Sequence, residues 1–197
     1  MRVLMTAVLT ITAFAQPKIE SAKLETRPVN GSLDASFRTL VSSSAAPAWI
    51  GYSVPQTAGE RSMCGTVSLE GAKEFVVLYR AAAGQVEKIR TYATDCTFDA
   101  GALPFYWLTG VDGSQSALLL STFIPPADVN DRKGLPWQLA NSALSAIARH
   151  QDGAPALIDL ARRPGMSPQI RQEAVRWLGR SKDPRAAKFF EEILAAR

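Results

Sequence analysis

Three stretches of this chain begin alike. Asp112-Gly113-Ser114-Gln115-Ser116-Ala117-Leu118-Leu119, Asp152-Gly153-Ala154-Pro155-Ala156-Leu157-Ile158 and Asp183-Pro184-Arg185-Ala186-Ala187-Lys188-Phe189-Phe190 start 40 and then 31 residues apart. Self-similarity at such a period commits a chain to stacked supersecondary units, because one unit alone cannot bury its apolar stripe. Each Asp stands where its carboxylate can accept from the free N–H groups of a following helix. Pro184 occupies a first helical position, where its missing N–H is harmless, and Ser167-Pro168 repeats the device.

Partner helices lie between these starts. Ile170, Ala174, Trp177 and Leu178 fall at i, i+4, i+7 and i+8, and Ala140, Ala143, Leu144 and Ile147 form a second apolar stripe. Ala143 and Ala174 are 31 residues apart, as are Ile147 and Leu178, so the stripes are in phase. Gly179 closes the later helix. The run Ala156-Leu157-Ile158-Asp159-Leu160-Ala161, then Ile170-Arg171 and Ala174, then Trp177-Leu178-Gly179, then Asp183-Pro184-Arg185-Ala186 resembles the HEAT repeat, in the short version seen in the phycobilisome-lyase-like group. The resemblance covers about residues 112–197. The first unit departs from it through a Pro-rich insertion at 125–133. It implies a short α-solenoid of antiparallel helix pairs whose second helices form a binding face. By spacing that face carries Gln172, Arg176 and Arg180, with Asn141, Ser145 and Arg149 one unit earlier.

The preceding segment has a different texture. Leu33, Phe37, Leu40 and Val41 lie on one face of a helix that Ser32 can cap and that ends before Pro47. Residues 49–54 are aromatic and β-branched, as a strand should be, and 65–69 form a shorter candidate. Residues 74–80 and 86–93, separated by a short gap containing Gly84, read as a hairpin, and 104–108 as a last strand. The expectation is an α+β chain: a small antiparallel sheet with one packed helix over 31–110, followed by helical repeats over 111–197. The aromatic run Phe105-Tyr106-Trp107 is expected where sheet and first helix pair meet.

Residues 1–15 read as an export signal, with Arg2 ahead of an apolar run and Ala13-Phe14-Ala15 as the cleavage site. The run is too short to span a bilayer, which needs about 20 residues. The polar stretch 16–30 reads as a linker. In an exported chain the two cysteines, Cys64 and Cys96, are expected to form a disulfide. A redox pair is usually C-x-x-C, and zinc wants four ligands where this chain has one His and two Cys.

Catalytic machinery is not legible. His150 is the sole histidine and, beside Arg149 at a helix end, reads as a cap or surface residue. Glu87, Asp95 and Asp99 read as solvated turn carboxylates. Asp112-Gly113-Ser114 lacks the glycine spacing and lysine of a phosphate loop. The net charge of +4 comes without a dense basic run, which counts against a nucleic-acid partner. The expectation is therefore a periplasmic or extracellular scaffold without cofactor, metal or stable membrane insertion, whose partner is another protein. The alternative is an enzyme or enzyme-accessory protein of the HEAT-like lyase type. The export signal and single histidine count against chromophore attachment.

Overall fold

The computed structural model describes residues 17–57, 64, 72–127, 129 and 131–195. The export segment and the candidate strand at 65–69 lie outside the described residues.

Among the described residues seven strands precede five helices, with one further helix among the strands. They are β1 (Lys18–Glu20), β2 (Lys23–Pro28), α1 (Leu33–Ser43), β3 (Ala48–Pro55), β4 (Glu74–Ala82), β5 (Gln85–Ala93), β6 (Thr97–Asp99), β7 (Pro104–Thr109), α2 (Gly113–Ser121), α3 (Leu135–Ile147), α4 (Gly153–Arg162), α5 (Pro168–Leu178) and α6 (Pro184–Ala195). The α+β class is as expected. The stretch read as a linker instead supplies β1 and β2.

The main sheet has the order β2-β7-β3-β4-β5 and is mixed rather than antiparallel. β3, β4 and β5 run antiparallel, but β7 lies parallel to both β2 and β3. The cause is α1. A helix between two strands carries the chain back to the starting end, so β2 and β3 point the same way. β7 then enters the slot between them. Its end is fastened by the Val29 N–H, which donates to the Thr109 carbonyl at 2.9 Å. The β4–β5 turn is tighter than the sequence gap suggests. Ala83 (φ 50°) and Gly84 (φ 73°) both take left-handed geometry, which suits a two-residue hairpin turn.

The two sheet faces bury different things. Ile50, Tyr52, Val54, Phe75, Val77 and Tyr79 face the helices, joined by Leu33, Phe37 and Leu40 of α1. Ser32 caps that helix through the Ala35 N–H. On the other face Val76, Leu78, Phe105 and Trp107 form a second cluster, with Ile19 of β1 and Phe98 of β6 packed on it. Thus Phe105 and Trp107 do not sit at the sheet–helix junction; only Tyr106 packs toward the helices. Alternation along a strand sends successive side chains to opposite faces. Gly51 allows this second cluster to close: a Cβ there would lie 2.6 Å from Leu78 Cδ2 and 3.3 Å from the Phe105 ring.

After β7 the helices associate as α2 with α3 and α4 with α5, and α6 packs on α4. α3 also packs along β5. The first apolar cluster runs without interruption from α1 and the sheet through Leu144 and Ile147 to Phe189 of α6. The helices and the sheet share one core across the position-110 boundary.

Candidate functional site

The repeated stripes are buried in phase. Ala143, Ala174, Ile147 and Leu178 are each at most 1% exposed. The outward positions of α5 and of the turn after it are correspondingly open: Gln172, Arg176 and Arg180 are exposed. Asn141 and Ser145 of α3 are half-buried. Arg149 is a correction to the sequence reading. It is buried, its Nη1 donates to Thr91 Oγ1 at 2.7 Å, and its guanidinium stands 5.6 Å from the Phe75 ring centroid. The sheet takes this arginine because α3 lies along β5, a long-range contact that helix spacing does not reveal.

Two outward side chains, one on α5 and one in the turn after it, are held in place. Arg180 sits over the Trp177 ring at 5.4 Å, a cation–π contact. Arg176 pairs with Glu173, whose carboxylate side chain is only 11% exposed. Arg171, beside Gln172, is exposed as well.

The helix starts are built largely as their sequences imply. Asp112 Oδ1 accepts from the Gln115 N–H at 2.8 Å, and from Ser114 Oγ at 2.6 Å. These bonds, the Ser114 hydroxyl first, hold its carboxyl below the ordinary range. Ser167 caps α5 through the Ile170 N–H. Asp183 accepts from the Arg185 side chain and backbone, and the side-chain bond is the chief cause of its lowered pKa. Asp152 differs: its side chain makes no capping bond and instead meets Arg185 at 3.2 Å. Arg185 thereby ties two helix starts together across the 31-residue repeat.

His150 is the second correction. It is 2% exposed, neither a surface residue nor a cap. Its Nδ1 lies 2.8 Å from the Ala146 carbonyl and its Nε2 2.8 Å from Ser116 Oγ. Ser116 in turn lies 2.8 Å from the Tyr52 hydroxyl, and Tyr52 lies 2.8 Å from the Tyr79 hydroxyl. A carbonyl can only accept, so Nδ1 carries the proton and Nε2 accepts from Ser116. Every other proton then follows: Tyr79 donates to Tyr52, Tyr52 to Ser116, and Ser116 to His150. Burial pushes the His150 pKa down to about 4, against the raising effect of the Ala146 bond. Burial likewise pushes Tyr52 up to about 12, and Tyr79 well above its ordinary value.

This serine–histidine pair is a structural joint. Ser116 is 0% exposed, and its hydroxyl already lies between Tyr52 and His150. The imidazole's other nitrogen meets a backbone carbonyl, where a triad would place a carboxylate. The chain fastens β3 and β4 to α2 and to the turn after α3. Backbone bonds reinforce the same joint: Thr57 N–H donates to the Arg149 carbonyl at 3.0 Å, and Thr57 Oγ1 to the His150 carbonyl at 3.0 Å. Sequence reading missed Ser116. The available signal was the pair Tyr52 and Tyr79, whose inward strand positions demand hydroxyl partners inside a core.

Two cavities accompany these features. One of about 440 Å³ opens between α1, α2 and the β4–β5 turn, with Phe37, Val41, Leu119 and Phe123 in its wall. The other, of about 270 Å³, lies on the opposite sheet face beside Trp49, Tyr92 and Phe98. The Cys64–Cys96 disulfide borders it, with Cα atoms 5.3 Å apart. Of the turn carboxylates, Glu87 pairs with Arg80, and Asp99 accepts from the Gly101 N–H at 2.9 Å. Among the described residues no group of three or more His, Cys, Asp or Glu could hold a metal ion, and no helix is long and apolar enough to cross a membrane.

Comparison with protein-family models, curated proteins and solved structures finds no match for this chain.

Proposed function

We propose that this chain is an exported scaffold or protein-binding module that presents a HEAT-like helical face, formed by α3 and α5, to another protein. The observation that carries the reading is the phase match of those two helices. Residues 31 apart are buried together, while Gln172 and Arg176 of α5 and Arg180 in the turn after it stay open, and Asn141 and Ser145 of α3 are half-buried. A row of second helices is the surface that stacked helix pairs offer to partners. The buried state of Ser116 and His150 favours binding over acyl transfer at that pair. The disulfide supports an oxidising compartment.

Two measurements test the proposal. Protein recovered from the periplasm or medium should have an intact mass beginning at Gln16, and a mass matching Met1 would sink export. Crosslinking in the native host from photoreactive groups at Gln172 and Arg180 should give one discrete protein adduct. The same group at Arg38, on α1, should not give it. Identical adducts from all three positions, or none, would remove α5 as the docking face.

A further inference from the structure

We propose that the cavity of about 440 Å³ between α1, α2 and the β4–β5 turn binds a small amphipathic carboxylate, its alkyl or aryl body inside and its head at Arg38; this site is separate from the docking face proposed above. The volume lies within the roughly 300–1,000 Å³ of small-molecule sites, which are mostly apolar with a few placed polar groups. Here the apolar wall is Phe37 and Val41 of α1, Val86 of β5, Leu119 and Phe123 at the end of α2, and Leu139 of α3.

Polarity rises from floor to rim around α1. At 3.6 residues per turn, Phe37, Val41, Arg38 and Ser42 follow one another round the helix. Phe37 is 3% exposed, Val41 is half-buried, and the Arg38 side chain is 64% exposed. α2 and α3 have no charged residue. Among the described residues of the wall, Arg38 is the single charged one.

The donors open at this rim define the head group. Asp34 takes the Nε–H of Arg38, whose Nε lies 2.9 and 2.8 Å from its two carboxylate oxygens. The two Nη groups have no partner among the described residues, and their edge of the guanidinium can hold a carboxylate with two parallel bonds. Exposed Gln85, at the β4–β5 turn, adds an amide donor. The Ser42 and Thr122 hydroxyls give their protons to the Thr39 and Leu119 carbonyls instead. Open N–H donors around a guanidinium suit an anionic acceptor. Asp34 stands beside it, and a phosphate dianion would meet twice the repulsion that a carboxylate meets, so the carboxylate fits better.

The test uses the full oxidised chain at neutral pH and calorimetric titration with hexanoate, octanoate and decanoate, each below its micelle-forming concentration. Binding at a single saturable site is expected, tightening about three- to fourfold for each methylene added, as burial of a CH₂ group implies. Arg38→Gln should weaken octanoate about fivefold or more while leaving the neutral analogue 1-octanol unchanged. Val41→Trp, which fills the space beside Phe37, should abolish both, and Lys188→Gln on α6 should change neither. Arg38 makes only an exposed ion pair, so its variant should keep the melting temperature and decides the matter even where Val41→Trp does not fold. The proposal is overturned if octanoate does not bind, if Arg38→Gln weakens octanoate and octanol alike or weakens neither, or if a folded Val41→Trp chain still binds octanoate. A peptide with a free C-terminal leucine that binds more tightly than octanoate, and is weakened by Arg38→Gln, would reassign the pocket to protein chain ends and overturn it as well.

Discussion

Ser116 Oγ lies 2.8 Å from Nε2 of His150, and this contact joins the start of the helical region to its middle. Because Nδ1 must donate to Ala146, the serine must donate to Nε2, and Tyr52 must then donate to Ser116. One imidazole tautomer therefore sets the proton order of four buried side chains. An imidazolium would present N–H at both nitrogens and break the chain at Ser116.

Acid should loosen the molecule through His150 before the carboxylates respond. The imidazole is held neutral in the fold, with its pKa lowered from 6.5 to about 4. The unfolded chain therefore takes up the proton first. Stability from this group is whole above pH 6.5 and falls as pH drops toward 4, by about 3 kcal/mol across the window. Asp112 and Asp183, whose pKa values are lowered, lose their contributions only below the ordinary carboxylate range. Urea unfolding between pH 7 and 4 should show the decline in the native chain, and His150→Gln should flatten it. Parallel curves would show that His150 is not the titrating group.

Ser116→Ala should be more damaging than its single oxygen suggests. It leaves the Tyr52 hydroxyl without an acceptor and His150 Nε2 without a donor, both buried. Unsatisfied groups of this kind cost about 1–3 kcal/mol each, so a total of about 2–6 kcal/mol is expected. Tyr79→Phe removes only the last donor of the chain and should cost about 1 kcal/mol. Thermal unfolding followed by circular dichroism gives the order. Equal losses would contradict the directional chain.

The local parts of this architecture were readable from the residues. Ser32 with Leu33, Phe37 and Leu40 specifies a capped helix, and Gly84 between two β-branched runs specifies a hairpin. What escaped was set by distant partners. β2 is the sequence Lys-Leu-Glu-Thr-Arg-Pro, an edge strand exposed along most of its length, so it shows no apolar alternation. Its parallel partner β7 lies about eighty residues later, which made the sheet look purely antiparallel. His150 and Arg149 looked like surface residues for the same reason. Both end α3 locally, and both are buried by the sheet end and the Thr57 strap.

Reducing Cys64–Cys96 should destabilise the fold while leaving its helices largely intact. The bridge spans 32 residues of sequence, so in the chain-entropy model it contributes about 3–4 kcal/mol. Thiol titration of the unreduced, denatured protein should find no free cysteine. Reduction should release two thiols and lower the urea midpoint, while far-ultraviolet dichroism of the folded state changes little, because α2 to α6 lie beyond the bridge in the chain.

Gly153→Ala should be disruptive for a reason peculiar to its place. An added Cβ would lie 1.8 Å from the Ile147 carbonyl oxygen, a backbone atom that cannot swing aside. Gly153 N–H donates to the His150 carbonyl at 3.0 Å, so moving this turn also moves the imidazole. Gly51→Ala meets a methyl of Leu78 at 2.6 Å, and that side chain can change rotamer. Gly153→Ala is therefore expected to be the more destabilising, by about 2 kcal/mol or more over an ordinary Gly→Ala change. Chemical denaturation of the two variants side by side decides it.

Arg176 carries two roles that mutagenesis must separate. It faces outward on α5, but it is also the partner of Glu173, a carboxylate with an 11% exposed side chain. Removing the arginine leaves a nearly buried charge unpaired. Arg176 itself is 53% exposed, so solvent softens the loss to about 1–3 kcal/mol, below that of a fully buried pair. Glu173→Gln in the Arg176→Ala background removes the stranded charge and should recover part of that loss. If partner capture falls in Arg176→Ala and returns with Glu173→Gln, the arginine acts by holding α5 in place. If stability returns and capture does not, its guanidinium touches the partner directly.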